Sequence, residues 1–353
     1  MPLGPAAVVR FSSLGDVLLA GHVPSFLRAV DPGRRVLFVT KERFAGALRG
    51  HPDVDRFYSL KDGSTEPLEP AVLGYRGSLG DLVAAIKREG VAEIIDLHQN
   101  LRSSRIVRAL EGAKRTLPSK HGLERRLMVH AKWLHPKSIA PLLTTYRALS
   151  GLAPDAPARP WLRDAFTESE RARAAGRIGP TGRRGFALFG VGSAWETKRW
   201  PARHFAALAD ALDRDLGLQT RYAIAPWDVA LQGEFRALLP PDREREILAL
   251  DFRTTAAIAS FAAVIVSNDS AVLHLGPAVG VPALGIFGST VPAFGFAGQG
   301  PRDMIAEIPL SCRPCDVHGK RHCPLGHHAC LERLTPEAVL TPLRTLFSGG
   351  TLE

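Results

Sequence analysis

The chain has 353 residues, 45 % apolar and 23 % charged, with a formal net charge of +10, the profile of an ordinary globular protein. No stretch approaches the ~18 apolar residues of a membrane span, and MPLGPAAVV lacks a basic n-region, so neither a span nor a secretion signal is expected, and a cytoplasmic protein of about two domains is. The charge is local: from Arg102 to Arg147 eleven Lys and Arg stand against two Glu and no Asp, which suits phosphate groups, nucleic acid or an acidic lipid surface, or else a solvated face.

The first elements lie in AAVVRFSSLGDVLLA, residues 6–20. Ala6 to Phe11 predicts a strand, Ser12, Ser13 and Gly15 a turn, and Val17 onward a helix. Asp16 therefore stands where strand hands over to helix. There it either caps the helix or, at the carboxyl edge of a parallel sheet, faces a substrate. RRVLFV, KERFAGALRG, DVDRFYSL, SLGDLVAAIKREG, EIIDLH and LRSSRIVRALEG continue as alternating strands and helices, the pattern of βα units. GLAPDAPARP at 151–160 reads as a linker, and TESE at 167–170 as a capping box opening a new helix. GFALFGVG, HFAALADALDRDLG, TRYAIAP, a short strand near Ile247, TTAAIASFA, AVIVSND, AVLHLGPAVG and VPALGIFG form a second series, and Thr335 and Pro336 open a last helix. The expectation is α/β: two doubly wound domains, 1–165 and 166–353, with ligand in the cleft between them and the last helix packing back toward the N-terminal domain.

Three places carry chemistry. In GVGSAWETKRWP, from Gly190, glycines after a strand let a backbone approach a phosphate, and Lys198 either neutralises a diphosphate or is solvated. This is no dinucleotide fingerprint: Trp195 occupies the third glycine position, and Asp228 lies 36 residues beyond Gly192 instead of about 20. In NDSAVLHL, Asp269 and Ser270 end a strand and open a helix, with His274 on the face of Ser270. Cap and core histidine are the bland alternatives. Finally Cys312, Cys315, Cys323 and Cys330, all four cysteines of the chain, follow the pattern C-x2-C-x7-C-x6-C. In the cytosol that favours one structural zinc, with iron or four reduced thiols as alternatives.

Taken together and in order, FSSLGDVLLA, DLHQNLRS, GSAWETKRWP, NDSAVLHL, GIFGST and the four-cysteine region resemble glycosyltransferase family 9, the ADP-heptose:lipopolysaccharide heptosyltransferases. The resemblance implies the GT-B fold, two Rossmann-like doubly wound domains facing a central cleft, with no cofactor for catalysis and inversion at the anomeric carbon. It places ADP-heptose on the C-terminal domain and a phosphorylated lipid A-core lipopolysaccharide precursor on the N-terminal one, at the inner face of the cytoplasmic membrane.

Residue by residue, the resemblance makes Asp16 the general base, with Ser13 beside it on the acceptor side. Ser193 and Lys198 match diphosphate positions and Asp269 a donor-sugar position, while Ser270, Ala271 and His274 match the phosphate-side helix start. Asp228 stands for the ribose ligand in a shifted register. Ala194 and Ala271 depart from the family's usual Thr or Ser and Gly. Arg102, Arg105, Lys120, Arg125 and Arg126 are the candidates for the acceptor's phosphates. The enzyme alternative is another nucleotide sugar or acceptor. A metal-stabilised nucleic-acid binder is the non-enzyme alternative; no nucleic acid is expected, since the basic segment has only Trp133 and Tyr146 as stacking aromatics.

Overall fold

Residues 3–63, 75–132 and 138–348 are described by the structure, a computed structural model; Trp133 and Lys137 of the basic segment lie outside them. The strongly apolar runs become strands buried on both faces, as parallel sheets require. In the first unit β1 (Ala6–Val9), β2 (Val36–Lys41), β3 (Arg56–Leu60), β4 (Tyr75–Gly77), β5 (Glu93–Asp96) and β6 (Lys114–Thr116) form one sheet in the order β4-β3-β2-β1-β5-β6. Every described pairing is parallel. The second has β7 (Phe186–Gly190), β8 (Gln219–Ile224), β9 (Ile247–Ala249), β10 (Val264–Asn268), β11 (Ala283–Ile286) and β12 (Met304–Ala306), in the order β12-β11-β10-β7-β8-β9. Both orders reverse beside their first strand, at β1 and at β7. That is the switch point where the loops at the carboxyl ends splay apart and doubly wound sheets take their ligands. Asp16 follows β1, the Gly190 loop follows β7, and Asp269 follows β10.

The two units are Met1–Lys120 with Leu142–Thr167, and His121–Pro141 with Glu168–Glu353. The division at Thr167 falls close to the expected one, but the excursion of 121–141 was not expected. Its helix Gly122–His130 is tied to the second unit by Arg125 Nε donating to the Phe294 carbonyl at 3.1 Å and by a cluster of Met128, Ile139 and Phe294. The last helix, Pro336–Ser348, buries Val339, Leu340, Leu343 and Phe347 in the second unit's core beside Phe205 and Leu212.

Beneath the helix His22–Val30 the first unit buries two histidines. His51 stacks on Trp161 at 4.5 Å and its Nε2 meets the Gly21 carbonyl at 2.6 Å. Neither ring nitrogen of His22 has a hydrogen-bond partner among the described residues. Burial, with His51 and Arg147 nearby, pushes His22 down from 6.5 to about 3; burial likewise takes His51 to about 4. The unfolded chain binds these protons near pH 6.5 and the folded chain does not, so stability is full above pH 6.5 and falls as pH drops toward 4, at about 1.4 kcal/mol per unit for each histidine. His22→Leu is expected to flatten that fall, read as urea midpoints between pH 7 and 5; an unchanged slope would contradict it.

Candidate active site

The turn after β1 is short and closed by its own side chains. The helix begins at Leu14, earlier than the sequence pattern indicates, because Asp16 in its first turn reaches back to the Ser13 N–H at 2.9 Å, as in a capping box. The Ser13 hydroxyl donates to the same carboxylate oxygen, Oδ2, at 2.8 Å. Arg10 Nη2 lies 2.7 Å from that oxygen too, with the two side chains 18 % and 19 % exposed. Burial raises the Asp16 pKa, but Arg10 and the Ser13 donors outweigh it, leaving the carboxyl below its usual range and ionised. All these contacts fall on Oδ2. The helix cap thus uses Oδ2, and capping alone does not engage Oδ1.

Beside this turn, at the carboxyl end of β5, Asp96 accepts the His98 and Gln99 N–H groups at 2.9 and 2.8 Å, and Asn100 caps the helix Leu101–Ala109. Arg102 and Arg105 are exposed on that helix, and Lys120 Nζ donates to the Gln99 carbonyl. These three basic residues share the first unit with Asp16. Arg125 and Arg126 do not: they stand on the Gly122–His130 helix of the second unit, where Arg125 is also spread over the Phe296 ring at 4.7 Å. The grouping of five basic residues expected from sequence thus divides into three and two.

In the second unit the sheet explains its glycine directly. A Cβ at Gly190 would lie 2.4 Å from Ser267 Oγ and 2.7 Å from Val272 Cβ, so only glycine lets β7 lie against β10 there. The loop then makes a 3-10 turn at Glu196–Lys198 before the helix Ala202–Leu216. Lys198 Nζ is 2.6 Å from Asp269 Oδ2, with side chains 12 % and 8 % exposed, and Thr290 Oγ1 donates to the same oxygen at 2.7 Å. The two donor-site candidates are thus brought together, across 71 positions of chain, at the switch point of the sheet. Ser193 stands in the same loop, its carbonyl taking Arg199 Nε at 2.8 Å. Arg199 Nη2 meets Asp228 at 3.1 Å, and Asp228 also caps the helix Val229–Leu238, which fixes the loop after β8 against the Gly190 loop.

One local expectation is corrected. Residues 270–276 form successive i→i−3 turns and the regular helix begins only at Leu275. Asp269 is engaged by Lys198 and Thr290 and does not cap, so Ser270, Ala271 and His274 lie on tight turns ahead of the helix and not on its first turn.

The four cysteines lie in the segment that follows β12. Among the described residues no group of three or more His, Cys, Asp or Glu is arranged to hold a metal ion, and all four cysteines are free. Cys330 packs into the apolar core, where burial pushes its thiol up to about 11; burial raises Cys315 as well. Burial also acts on Cys323, but backbone N–H groups from His328, Leu325, Gly326 and His327 overcome it and lower that thiol. The neighbouring cysteines add to the rise at both Cys315 and Cys330, so the four thiols of Cys312, Cys315, Cys323 and Cys330 lie near one another.

The segment also braces the Gly190 loop, a role the sequence did not signal. Thr197 Oγ1 donates to the Lys320 carbonyl at 3.0 Å, accepts the Lys320 N–H at 2.8 Å and meets Ser289 Oγ at 2.9 Å. Cys315 N–H donates to the Ser289 carbonyl, and buried Arg313 reaches the Thr290 and Phe287 carbonyls and Glu307. Gly319, at φ +109°, lets the segment pass the Trp195 side chain, whose Cβ and ring Cγ an added Cβ would meet at 2.8 and 2.9 Å. Thr197, Ser289, Thr290 and Arg313 thus hold Lys198 and Asp269 in register.

Comparison with known proteins agrees with this arrangement. Lipopolysaccharide heptosyltransferase 1 of Pseudomonas aeruginosa is 28 % identical over 181 residues, 46 % of this chain and 48 % of that protein. The chain's matches span about half or less of the length of such curated relatives. Among solved structures, E. coli ADP-heptose lps heptosyltransferase II matches with a TM-score of 0.69 at 18 % identity over 98 % of both chains. E. coli heptosyltransferase WaaC with ADP-2-deoxy-2-fluoro heptose matches at 0.61 and 18 % over 97 % of this chain and 99 % of that one; these likenesses give the GT-B fold. The model of glycosyltransferase family 9 (heptosyltransferase) matches residues 80–325, and with that span, most of its length, the chain belongs to glycosyltransferase family 9.

Proposed function

We propose that the protein is an inverting glycosyltransferase that moves heptose from ADP-heptose to a phosphorylated inner-core lipopolysaccharide acceptor, peripherally at the inner membrane surface. The observation that carries this reading is the Lys198–Asp269 pair beside a glycine loop at the switch point of the second sheet. A cation next to backbone N–H groups suits a diphosphate, and a carboxylate beside it suits sugar hydroxyls. A solved neighbour carries ADP-2-deoxy-2-fluoro heptose, which supports the donor. No helix among the described residues is long and apolar enough to cross a membrane.

In this reading Asp16 Oδ1 takes the proton of the acceptor hydroxyl as its oxygen forms a bond to the anomeric carbon from the face opposite ADP. The carbon–oxygen bond to the diphosphate breaks, its electron pair leaves on ADP, and configuration inverts. Lys198, with Ser193 and the turns at Ser270, Ala271 and His274, stabilises the departing charge. Asp228, paired with Arg199, would take the ribose. Incubation with ADP-heptose and defined core-lipid acceptors, followed by mass measurement, tests this: a product heavier by one heptosyl unit is expected. No product with any heptose-deficient core acceptor would overturn it.

Arg102 and Arg105 would hold the acceptor's phosphates, with Lys120 beside them. Their joint reversal to Glu is expected to raise the acceptor Michaelis constant about ten-fold at low ionic strength and less in high salt, sparing the donor's. Steady-state titrations of each substrate check this; equal changes for both would leave these arginines a solvated face.

A further inference from the structure

Arg10 is the basic residue at the end of an otherwise apolar first strand, and every part of its guanidinium is engaged. Its Nε donates to the Ser12 carbonyl at 2.7 Å, Nη1 to the Leu97 carbonyl, and Nη2 lies 2.7 Å from Asp16 Oδ2. A single planar fork thus ties together the turn after β1, the end of β5 and the carboxylate. Lysine, with one nitrogen, cannot span the three.

We propose that Arg10 is a positioning residue of the transfer reaction: it fixes the Asp16 carboxylate so that Oδ1 faces the acceptor hydroxyl, and it keeps that carboxylate ionised. This rests on the reading of Asp16 as the general base. The geometry assigns the division of labour, because Arg10 and both Ser13 donors converge on Oδ2. A carboxylate with 19 % exposure that lost this cation would take up a proton more readily, and a protonated base accepts nothing.

The other groups facing Asp16 do not replace the cation. His98, edge-on to Phe11 at 5.4 Å, is held down to about 4 by burial and by Arg10, so it is neutral at pH 7. Asp96 faces the same loop with negative charge and spends Oδ1 on backbone N–H groups. Lys120 is drawn to the Gln99 carbonyl. Arg10 is the cation in direct contact.

The test is kcat/KM for transfer between pH 5 and 9 in the parent, Arg10→Gln, Arg10→Lys and Asp16→Asn. Arg10→Gln is expected to acquire an acid limb, so that its deficit against the parent shrinks about ten-fold for each pH unit gained below the new midpoint. A deficit constant across that range would overturn the proposal and make Arg10 merely structural. Arg10→Lys keeps the charge but loses the span; it is expected to retain the parent's pH profile and donor Michaelis constant while kcat falls about 10- to 100-fold. A parental kcat in Arg10→Lys would overturn the positioning role, including where Arg10→Gln does not fold. Asp16→Asn separates the two ideas: near-parental activity there removes the base assignment itself, whereas an inactive Asp16→Asn with an unmoved Arg10→Gln profile removes only the role of Arg10.

Discussion

Asp16→Asn is expected to lower turnover by about 10²–10⁴-fold, the usual contribution of a general base, while the affinity for ADP stays that of the parent. The amide has the shape of the carboxylate, and its carbonyl oxygen still accepts the Ser13 N–H and hydroxyl, so the helix Leu14–Ala20 keeps its cap. What is lost is the capacity to take a proton, together with the ion pair to Arg10. That pair is largely buried, so its loss also costs stability, an effect that urea unfolding reads apart from the rate. ADP binding is unaffected because the groups proposed to hold ADP stand on the second sheet. Single-turnover rates with saturating donor, and calorimetric titration with ADP, separate the two effects. Turnover within about three-fold of the parent would return Asp16 to capping alone.

How much of this was visible in the sequence depends on the distance over which each contact acts. Asp16, its turn and its strand are local, and the pattern of apolar run, Ser, Ser and Gly placed them correctly. The contacts of Arg10 were not legible, since one partner, Leu97, lies 87 positions away and a lone Arg after a strand carries no signal. Membership of residues 121–141 was hidden for the same reason: Phe294 and Cys312, which receive Arg125 and Lys132, are 169 and 180 positions distant. The edge strands β4, β6 and β12 are three residues each, too short for alternation to register. At Ser270 the reading failed differently. The sequence there has a good cap, but tertiary pairing claims Asp269 first, and the regular helix starts after His274. The bracing of Thr197 by Lys320, 123 positions on, was hidden because the partners are far apart in the chain.

Lys198→Ala is expected to weaken binding of ADP and of ADP-heptose about 10- to 100-fold, the worth of a charged hydrogen bond of ~1.5–3 kcal/mol, and also to destabilise the protein. The second effect follows from Asp269, which would be left as a carboxylate 8 % exposed with only Thr290 donating to it. Breaking such a pair from one side costs about 3–5 kcal/mol. Asp269→Asn has a different signature. It removes the carboxylate proposed to accept hydroxyls of the heptose, so it is expected to penalise the intact sugar nucleotide more than ADP. The double variant Lys198→Ala/Asp269→Asn leaves no buried charge unpaired. It should recover most of the lost stability but none of the lost affinity, because the cation that meets the diphosphate is still missing. Urea unfolding and calorimetry on the three variants check both halves. A double variant as unstable as Lys198→Ala would mean the pair is not what holds the loop, and an unchanged ADP affinity in Lys198→Ala would mean that the diphosphate binds elsewhere.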